Sequence, residues 1–407
     1  MAAERRIDPE LLEKGRALCP SFGRCGGCSY LGMSAEEKLK IKEKEVLDCL
    51  AASGIDASVF RGIVNAPSDF RYRNKMEFTF GNEVKDGPTI LGLHAKKSFI
   101  SIVPADGCVL VPEDFRTILK ATLAFCLDKG YVHYNKKTHK GLLRSLVLRR
   151  GVRTGELLIN IVTSSQGTFD EEGYKDMALS LHLNEKIVGI IHTVNDNRSD
   201  AIIAEDTRLL FGRPYYNEEI LGLNFKVGAF SFFQTNVEAA ERLYKDAISL
   251  LPSLENKTVF DLYCGTGTMT QAMALKASKA IGIEIVEEAV ETAKEAAKIN
   301  GLNNCSFIAG DVGEVLSGLS VLPDVIMVDP QRPGIAPKAL QKILGYGVET
   351  IVYVSCNPKT LSENLRTAEL AGYRTLSVTA YDNFCYTKHI ESIALLSLDK
   401  YNAAQIF

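Results

Sequence analysis

The stretches Asp324-Val-Ile-Met-Val-Asp-Pro-Gln-Arg-Pro-Gly334 and Ile351-Val-Tyr-Val-Ser-Cys-Asn-Pro-Lys359 share one pattern, a short apolar run that ends abruptly in polar residues and proline. Such β-branched runs, joined by a longer connection, predict neighbouring strands of a parallel sheet covered on both faces. Ligands of these sheets bind just beyond the carboxyl ends of the strands. We therefore expect Asp329 and Cys356 at one edge of the sheet. An intracellular cysteine is usually a small buried apolar residue, but the Asn-Pro after Cys356 breaks the strand at the thiol.

A glycine-rich loop lies upstream, in Val259-Phe-Asp-Leu-Tyr-Cys-Gly-Thr-Gly-Thr268, between a predicted strand and a predicted helix. Such a loop lets a ligand approach the backbone closely. The second strand, Ala280–Glu284, ends in a carboxylate about twenty residues further on, which is the placement that binds ribose hydroxyls. A third strand, Cys305–Ala309, is followed by Asp311. This alternation predicts a nucleotide-type α/β domain.

The spacing favours S-adenosylmethionine over a dinucleotide. NAD sites usually carry Gly-x-Gly-x-x-Gly, and the last of these positions is Thr270 here. An acid ends the first strand (Asp261) as well as the second. A predicted hairpin, Tyr373–Tyr381 and Ile390–Leu398, would close a seven-stranded sheet. We therefore predict an α/β fold with a class I (Rossmann-like) methyltransferase domain over residues 226–407.

Length and composition restrict the function classes. The chain of 407 residues predicts two or three domains, and its 46% apolar and 24% charged residues are ordinary for a globular protein. The net charge of −3 means that a nucleic acid would have to be held by a local basic face. We expect no signal peptide, membrane span or membrane partner, and a cytoplasmic location. In that reducing compartment, ten cysteines predict metal or catalytic roles rather than a disulfide framework.

Three of these cysteines lie close together in Cys19-Pro-Ser-Phe-Gly-Arg-Cys25-Gly-Gly-Cys28. The two glycines let the backbone turn around a metal and leave N–H groups free to face sulfur. Cys108 is the best fourth ligand because it also follows a turn glycine. The pattern suits an iron–sulfur cluster or a zinc ion, and the residues alone do not choose between them. We assign residues 1–58 to this N-terminal segment.

Helical periodicity follows over Ala35–Ala52, with Leu39, Val46, Leu47 and Leu50 on one stripe. Several lysines lie outside the stripe, and we interpret them as a solvated face.

The middle of the chain, residues 59–225, predicts a mostly antiparallel α+β domain. Short alternating segments, punctuated by Gly, Asn and Asp, predict strands, and helices are predicted at Glu113–Lys129 and Glu172–Leu183. From Tyr131 to Arg153 there are seven Lys or Arg, two His and two Tyr, and no acidic residue. Cations that face phosphates beside aromatics that stack on bases are typical of RNA contact, although charge runs are often only solvated.

Together these segments resemble the RNA uracil-5 (m5U) methyltransferase family over nearly the whole chain. Tyr353-Val-Ser-Cys-Asn-Pro-Lys-Thr360 is similar to the nucleophile motif of the family. Asp329-Pro-Gln-Arg-Pro-Gly334 is similar to its Asp-Pro-Pro-Arg-x-Gly motif, and Thr387-Lys-His-Ile-Glu391 to its base motif.

The resemblance implies a mechanism and a site. The Cys356 thiolate would attack C6 of uracil, and Glu391 would remove the C5 proton after methyl transfer. The cofactor site would be lined by Gln234, Tyr263, Thr268, Glu284, Asp311 and Asp329. The ligands of a [4Fe–4S] cluster would be Cys19, Cys25, Cys28 and Cys108. The resemblance therefore favours an iron–sulfur cluster over a zinc ion at these cysteines.

Three departures from the family pattern matter. Gln331 stands where the family has Pro or Ala, and Cys385 where it usually has Pro; both change loop stiffness without removing a reacting group. Only eighteen residues precede Cys19, too few for the RNA-binding barrel (TRAM domain) of many relatives, so we expect none.

The expected partner is RNA rather than DNA, with 23S ribosomal RNA as the main prediction and the T-loop of transfer RNA as the alternative. Two rival functions are an amino-group methyltransferase, which needs no thiol, and a non-catalytic RNA-binding or iron–sulfur protein. The oligomeric state is not predicted.

Overall fold

The computed structural model describes residues 7–198, 202 and 205–399. Its N-terminal part contains two helices, α1 (Pro9–Leu18) and α2 (Ala35–Ala52), followed by strand β1 (Phe60–Asn65). Helix α2 has the predicted bounds, and it starts at Ala35 because Ser34 and Glu37 form a reciprocal capping box there. The interpretation of its lysines as a solvated face is wrong for two of these residues. Lys38 and Lys42 are fully buried, on the same helix face as Val46 and Leu50.

The central part is mostly antiparallel and contains two helices, as predicted; its sheet has seven strands, and an additional hairpin lies beside it. The sheet order is β4-β3-β2-β5-β6-β7-β8, and the pair β9–β10 lies outside it. The predicted helices are confirmed as α3 and α4, with small differences at their ends. The elements are β2 (Lys75–Gly81), β3 (Ile90–His94), β4 (Ile102–Pro104), α3 (Glu113–Asp128), β5 (Leu143–Arg150), β6 (Glu156–Thr163), α4 (Glu171–Leu179), β7 (Lys186–Val194), β8 (Asp206–Gly212), β9 (Tyr215–Ile220) and β10 (Leu223–Gly228).

The C-terminal part alternates strands and helices and then closes with a long hairpin. The elements are α5 (Val237–Ser249), β11 (Thr258–Leu262), α6 (Thr268–Ala274), β12 (Lys279–Glu284), α7 (Glu287–Ile299), β13 (Cys305–Ala309), α8 (Val312–Gly318), β14 (Val325–Val328), α9 (Pro337–Gly345), β15 (Thr350–Ser355), α10 (Pro358–Leu370), β16 (Tyr373–Asp382) and β17 (Glu391–Leu398).

The C-terminal sheet has the order β1-β16-β17-β15-β14-β11-β12-β13, so it contains eight strands instead of the predicted seven. The extra strand is β1, which pairs in parallel with β16 although its residues fall within the predicted central range. Strands β13, β12, β11, β14 and β15 are parallel, whereas β17 is antiparallel to both of its neighbours. The carboxyl ends of the five parallel strands therefore meet at one edge, where ligands of such sheets bind.

Both faces of this sheet are buried, as its apolar strands predicted. In β14, Ile326 and Val328 pack in one apolar cluster, with residues of α8, α9 and α10. Val325 and Met327 pack in another cluster, with residues of α5 and α6. No helix in the described part of the chain is both long and apolar enough to cross a bilayer.

Candidate active site

The glycine-rich loop joins β11 to α6 and is fastened to the end of β12. The Glu284 carboxylate accepts hydrogen bonds from the backbone N–H groups of Gly265 (3.1 Å) and Val286 (3.0 Å). Tyr263 and Gly267 both have a positive φ, of 67° and 75°. A side chain at position 267 would come within 2.5 Å of the Phe307 ring, so only glycine fits there. The loop therefore has a fixed shape with its backbone exposed to a ligand.

A cavity of about 780 Å³ lies between this loop, the ends of β14 and β15, and the start of β17. This volume is in the range of small-molecule sites. It brings together seven of the eight residues predicted for catalysis and cofactor binding, which are Gln234, Tyr263, Thr268, Glu284, Asp329, Cys356 and Glu391. Asp311 is the exception. It is exposed, does not line the cavity, and caps α8 by accepting a hydrogen bond from Glu314 N–H.

Three carboxyl groups in the cavity are poorly solvated. Burial raises the pKa of Asp261 to about 7, against the opposing hydrogen bond from Thr270 Oγ1 (2.5 Å). Burial and the nearby Asp261 raise the pKa of Asp329 to about 7. Burial and the nearby Asp329 raise the pKa of Glu391 to about 8, and Lys42 opposes this shift. Carboxyl groups with pKa values near neutrality can exchange protons at physiological pH.

The Cys356 thiol is half-buried at the end of β15. Burial, followed by the charges of Glu391 and Asp329, raises its pKa to about 11, and the Arg332 guanidinium opposes these effects. The turn that carries Arg332 is tied to the turn after Cys356, because Asn357 Nδ2 (3.1 Å) and Thr360 Oγ1 (3.3 Å) both donate to the Arg332 carbonyl. Arg332 is thus positioned to stabilise a thiolate at this edge of the sheet.

The cavity also contains residues outside the predicted catalytic and cofactor-binding sets. Tyr244 holds Gln234, since Gln234 Nε2 donates to the tyrosine hydroxyl over 3.0 Å. Arg73 and His389 also line the cavity. His389 could have been found from its place in the base motif two residues before Glu391. Tyr244 lies on a helix with ordinary amphipathic periodicity, and nothing in its sequence context marks it.

The four predicted cluster cysteines lie near one another, but they do not form a closed ligand set. Each of Cys19, Cys25 and Cys108 raises the pKa of Cys28, whose largest shift comes from burial. The Gly27 N–H points at the Cys25 sulfur over 3.4 Å, as the glycine argument predicted. No set of three or more His, Cys, Asp or Glu side chains in the described part of the chain is arranged to hold a metal ion. The iron–sulfur cluster therefore stays a prediction.

The basic segment from Tyr131 to Arg153 divides into structural and exposed cations. Arg144 and Arg149 are buried and donate to backbone carbonyls. Arg150 pairs with Glu185 over 2.5 Å, and Arg153 pairs with Glu241. The lysines of the segment, at positions 136, 137 and 140, lie in the turn before β5.

Comparisons with known proteins identify RNA methyltransferases as the relatives of this chain. The family model described as tRNA (Uracil-5-)-methyltransferase matches residues 202–399. An uncharacterised RNA methyltransferase from Clostridium tetani is 46% identical over 94% of this chain and 84% of its own length. One from Caldanaerobacter subterraneus is 48% identical over 93% of this chain and 84% of its own length. The crystal structure of Pyrococcus abyssi tRNA (uracil-54, C5)-methyltransferase in complex with S-adenosyl-L-homocysteine is 26% identical, with a TM-score of 0.74 over 92% of this chain and 86% of that one.

Proposed function

This chain belongs to the RNA uracil-5-methyltransferase family and is an S-adenosylmethionine-dependent RNA methyltransferase, and we propose that it methylates C5 of a uridine through a covalent bond between Cys356 and C6 of the base. One observation carries the proposal. The Cys356 thiol, the Glu391 carboxyl and the glycine-rich loop line a single cavity at the edge of the sheet. An amino-group methyltransferase has no use for that thiol.

The chemistry explains why a thiol is needed. C5 of uracil is too weak a nucleophile to take a methyl group directly. Addition of the Cys356 thiolate to C6 forms the S–C6 bond and moves the C5–C6 π electrons into an enolate with carbanion character at C5. When bound, S-adenosylmethionine supplies an electrophilic methyl group to that carbon. The thiolate requires local stabilisation, for which Arg332 is the cation on the nucleophile's side of the cavity.

Glu391 completes the reaction as the base. Its carboxylate takes the C5 proton, the electron pair of the C5–H bond re-forms the C5–C6 double bond, and the S–C6 bond breaks to release Cys356. A pKa of about 8 makes the group a stronger base than an ordinary glutamate once it is ionised.

The residues proposed to hold the cofactor are Gln234, Tyr263, Thr268, Glu284 and Asp329, all of which line the cavity. Glu284 is preorganised by its two backbone hydrogen bonds and would bind the ribose hydroxyls. Asp311 also belongs to the proposed set. It is exposed and lies outside the cavity lining, so the bound cofactor would have to extend beyond the cavity to contact it.

The test of the proposed function is a pair of variants assayed with radiolabelled S-adenosylmethionine and total RNA from cells lacking this protein. Cys356→Ala should lose methyl transfer and form no denaturant-resistant protein–RNA adduct, yet still bind S-adenosylmethionine in calorimetry. Glu391→Gln should accumulate that adduct. Full methylation by Cys356→Ala would refute the covalent mechanism, and normal adduct release by Glu391→Gln would refute the base.

We propose 23S ribosomal RNA as the target on the basis of the cluster-type cysteine pattern, with the T-loop of transfer RNA as the alternative. The alternative is kept because the chain is similar to the Pyrococcus abyssi enzyme, whose name gives uracil-54 of tRNA as its target. Mapping 5-methyluridine in both RNA classes from cells with and without this protein distinguishes the two.

We propose that RNA contacts fewer residues of the central domain than the basic segment from Tyr131 to Arg153 suggested. The contact comprises Lys137 and Lys140, which are exposed, and the neighbouring loop that carries Lys96 and Phe99. The two turns meet where Lys136 Nζ donates to the Phe99 carbonyl over 2.9 Å. Phe99 is 84% exposed beside these cations, which suits stacking on an unpaired base.

We also propose, from the family's cysteine pattern, that Cys19, Cys25, Cys28 and Cys108 hold a [4Fe–4S] cluster. Anaerobic purification followed by iron and sulfide analysis tests this. Four irons and four sulfides per chain are expected, and stoichiometric zinc in their place would contradict the proposal.

A further inference from the structure

The loop of residues 382–391, here called the base loop, connects β16 to β17 and ends in Glu391. Its shape is imposed from outside. Tyr386, in its middle, has a positive φ of 65°, a conformation that a bulky residue adopts only when its surroundings hold it there. Asn236 Nδ2 donates to the Asn383 carbonyl (2.7 Å), and the Tyr72 hydroxyl donates to the Cys385 carbonyl (3.1 Å).

The strongest of these constraints is a buried ion-pair network with helix α2. Lys42 Nζ donates to Asp382 Oδ1 (2.5 Å) and to the His389 carbonyl (2.7 Å), and it lies 3.5 Å from the Phe384 carbonyl. These are three acceptors for the three N–H groups of an ammonium. Lys42 therefore ties the first residue of the base loop to a residue two positions before Glu391. The side chains of Lys42 and Asp382 are both fully buried.

Lys38, one helical turn earlier, extends the network. Its Nζ lies 2.5 Å from Asp69 Oδ1 and 3.2 Å from Asp382 Oδ2. It also lies 4.8 Å from the centre of the Tyr386 ring, and the Tyr386 hydroxyl donates to Asp69 Oδ2 over 3.3 Å. Phe70 covers the same ring at 5.3 Å between ring centres. The residue with the unfavourable backbone conformation is thus enclosed by groups that hold it in place.

The cysteine-bearing segment contacts the same loop directly. The backbone N–H groups of Ser29 (2.7 Å) and Tyr30 (3.0 Å) both donate to the Tyr386 carbonyl, immediately after Cys28. Residues 28–42 therefore hold the base loop at its start, its middle and its end.

We propose that this N-terminal segment is a positioning device for the reaction: through Lys42, Lys38 and the Tyr386 carbonyl, it fixes the base loop so that the Glu391 carboxylate faces the base bound to Cys356. The inference rests on the proposed function of Glu391. It assigns the N-terminal segment a role in the proton-removal step, in addition to any contact with RNA.

Burial of the Lys38 and Lys42 ammonium groups costs desolvation free energy, and the geometry of the network shows which arrangement this burial fixes. Buried ion pairs add little net stability over apolar residues of similar size, but they impose one arrangement of the groups they join. An apolar contact in place of Lys42 would leave the His389 carbonyl, two residues from Glu391, without this donor.

The test uses a charge-balanced double variant, Lys42→Met/Asp382→Asn, which leaves Lys38 paired with Asp69. Replacing both partners avoids an unpaired buried charge, so the variant is expected to fold. With radiolabelled S-adenosylmethionine and total RNA from cells lacking the protein, decay of the trapped adduct should slow by about 10-fold or more, because small displacements of a reacting group carry such costs. Affinity for S-adenosylmethionine should be unchanged. Lys44→Met is the matched control, since Lys44 is an exposed residue of the same helix.

The ratio of covalent adduct to methylated product shows whether the N-terminal segment positions Glu391 or only stabilises the fold. A structural defect lowers the amount of active enzyme and leaves the adduct-to-product ratio of each active molecule unchanged; that result would overturn the proposal. If the first double variant does not fold, Lys38→Met/Asp69→Asn removes the support of Tyr386 while keeping the Lys42–Asp382 pair, with the same expected effect on adduct decay.

The reference variant Glu391→Gln keeps the two proposals distinguishable. Adduct accumulation in Glu391→Gln together with wild-type release in the double variants would overturn the positioning role alone. Normal release in Glu391→Gln would overturn the proposed base, and the positioning role with it.

Discussion

The two ends of the base loop carry carboxylates with opposite environments. Asp382 is fully buried and lies within ion-pair distance of Lys38 and Lys42. Glu391, nine positions later, forms no ion pair with any described residue, and burial beside Asp329 raises its pKa to about 8. One acid is held in place by cations, and the other is left without them. The difference separates a group that fixes geometry from a group that can take up a proton.

The contrast explains how one short loop can be rigid and reactive at once. Charge pairing at Asp382 fixes the backbone, while the lack of pairing at Glu391 keeps the carboxylate basic. Lys42 acts on both ends of the loop. It binds Asp382 directly, and its more distant charge opposes the rise in the Glu391 pKa.

The largest expected effect on the free energy of unfolding comes from substitution of Asp382, the ion-paired end of the base loop. Asp382→Asn should lower the free energy of unfolding by about 3–5 kcal/mol, because the buried Lys42 ammonium would lose its carboxylate partner while Lys38 kept only Asp69. Urea denaturation at pH 7 measures the change. A loss below about 1 kcal/mol would mean that the network does not hold charged lysines.

Substitution of Glu391, the acid without an ion pair, should change the free energy of unfolding in the opposite direction. A raised pKa means that the folded protein binds the Glu391 proton more tightly than the unfolded chain does, so stability falls as pH rises from about 4.5 to about 8. Gln does not titrate. Glu391→Gln should therefore be more stable than wild type by about 1–3 kcal/mol at pH 9, with the advantage shrinking towards pH 5. A variant that is less stable at pH 9 would contradict the unpaired environment.

The same pKa predicts the pH dependence of adduct release. The fraction of Glu391 in the carboxylate form rises from about one tenth at pH 7 to about nine tenths at pH 9, so release of a preformed adduct should accelerate by about tenfold. Single-turnover decay isolates this step because the Cys356 sulfur is already bonded to the base. A rate that is constant between pH 7 and 9 would show that Glu391 is ionised throughout.

The smallest effect is expected at an exposed ion pair on the same helix. Lys44 and Asp48 lie 2.6 Å apart with side chains 73% and 64% exposed. Lys44→Met should change the free energy of unfolding by less than about 0.5 kcal/mol, since water and salt screen such pairs. A change as large as that of Asp382→Asn would mean that burial is not the source of the difference between the two lysine sites.

Much of the fold was predictable because the responsible signals are local. The apolar runs at Val325–Val328 and Ile351–Val354 identified buried parallel strands, and the apolar stripe of Ala35–Ala52 identified α2. Turn residues placed Cys356 and Asp329 at the strand ends, and the family resemblance supplied the full set of cofactor residues, all of which except Asp311 line the cavity. The family resemblance added Glu391, which lies on a strand with no distinctive local pattern of its own.

The roles of individual charges could not be predicted in the same way. Lys38 and Lys42 had the spacing of a solvated helix face, and their burial depends on Asp382, which lies 340 residues after Lys42. Arg144 and Arg149 belonged to a basic run, and only the fold brings backbone carbonyls to their guanidinium groups. Periodicity and turn chemistry act between near neighbours and can be read along the chain. Desolvation and pairing of a charge depend on whatever the folded chain places around it, so they become visible only in three dimensions.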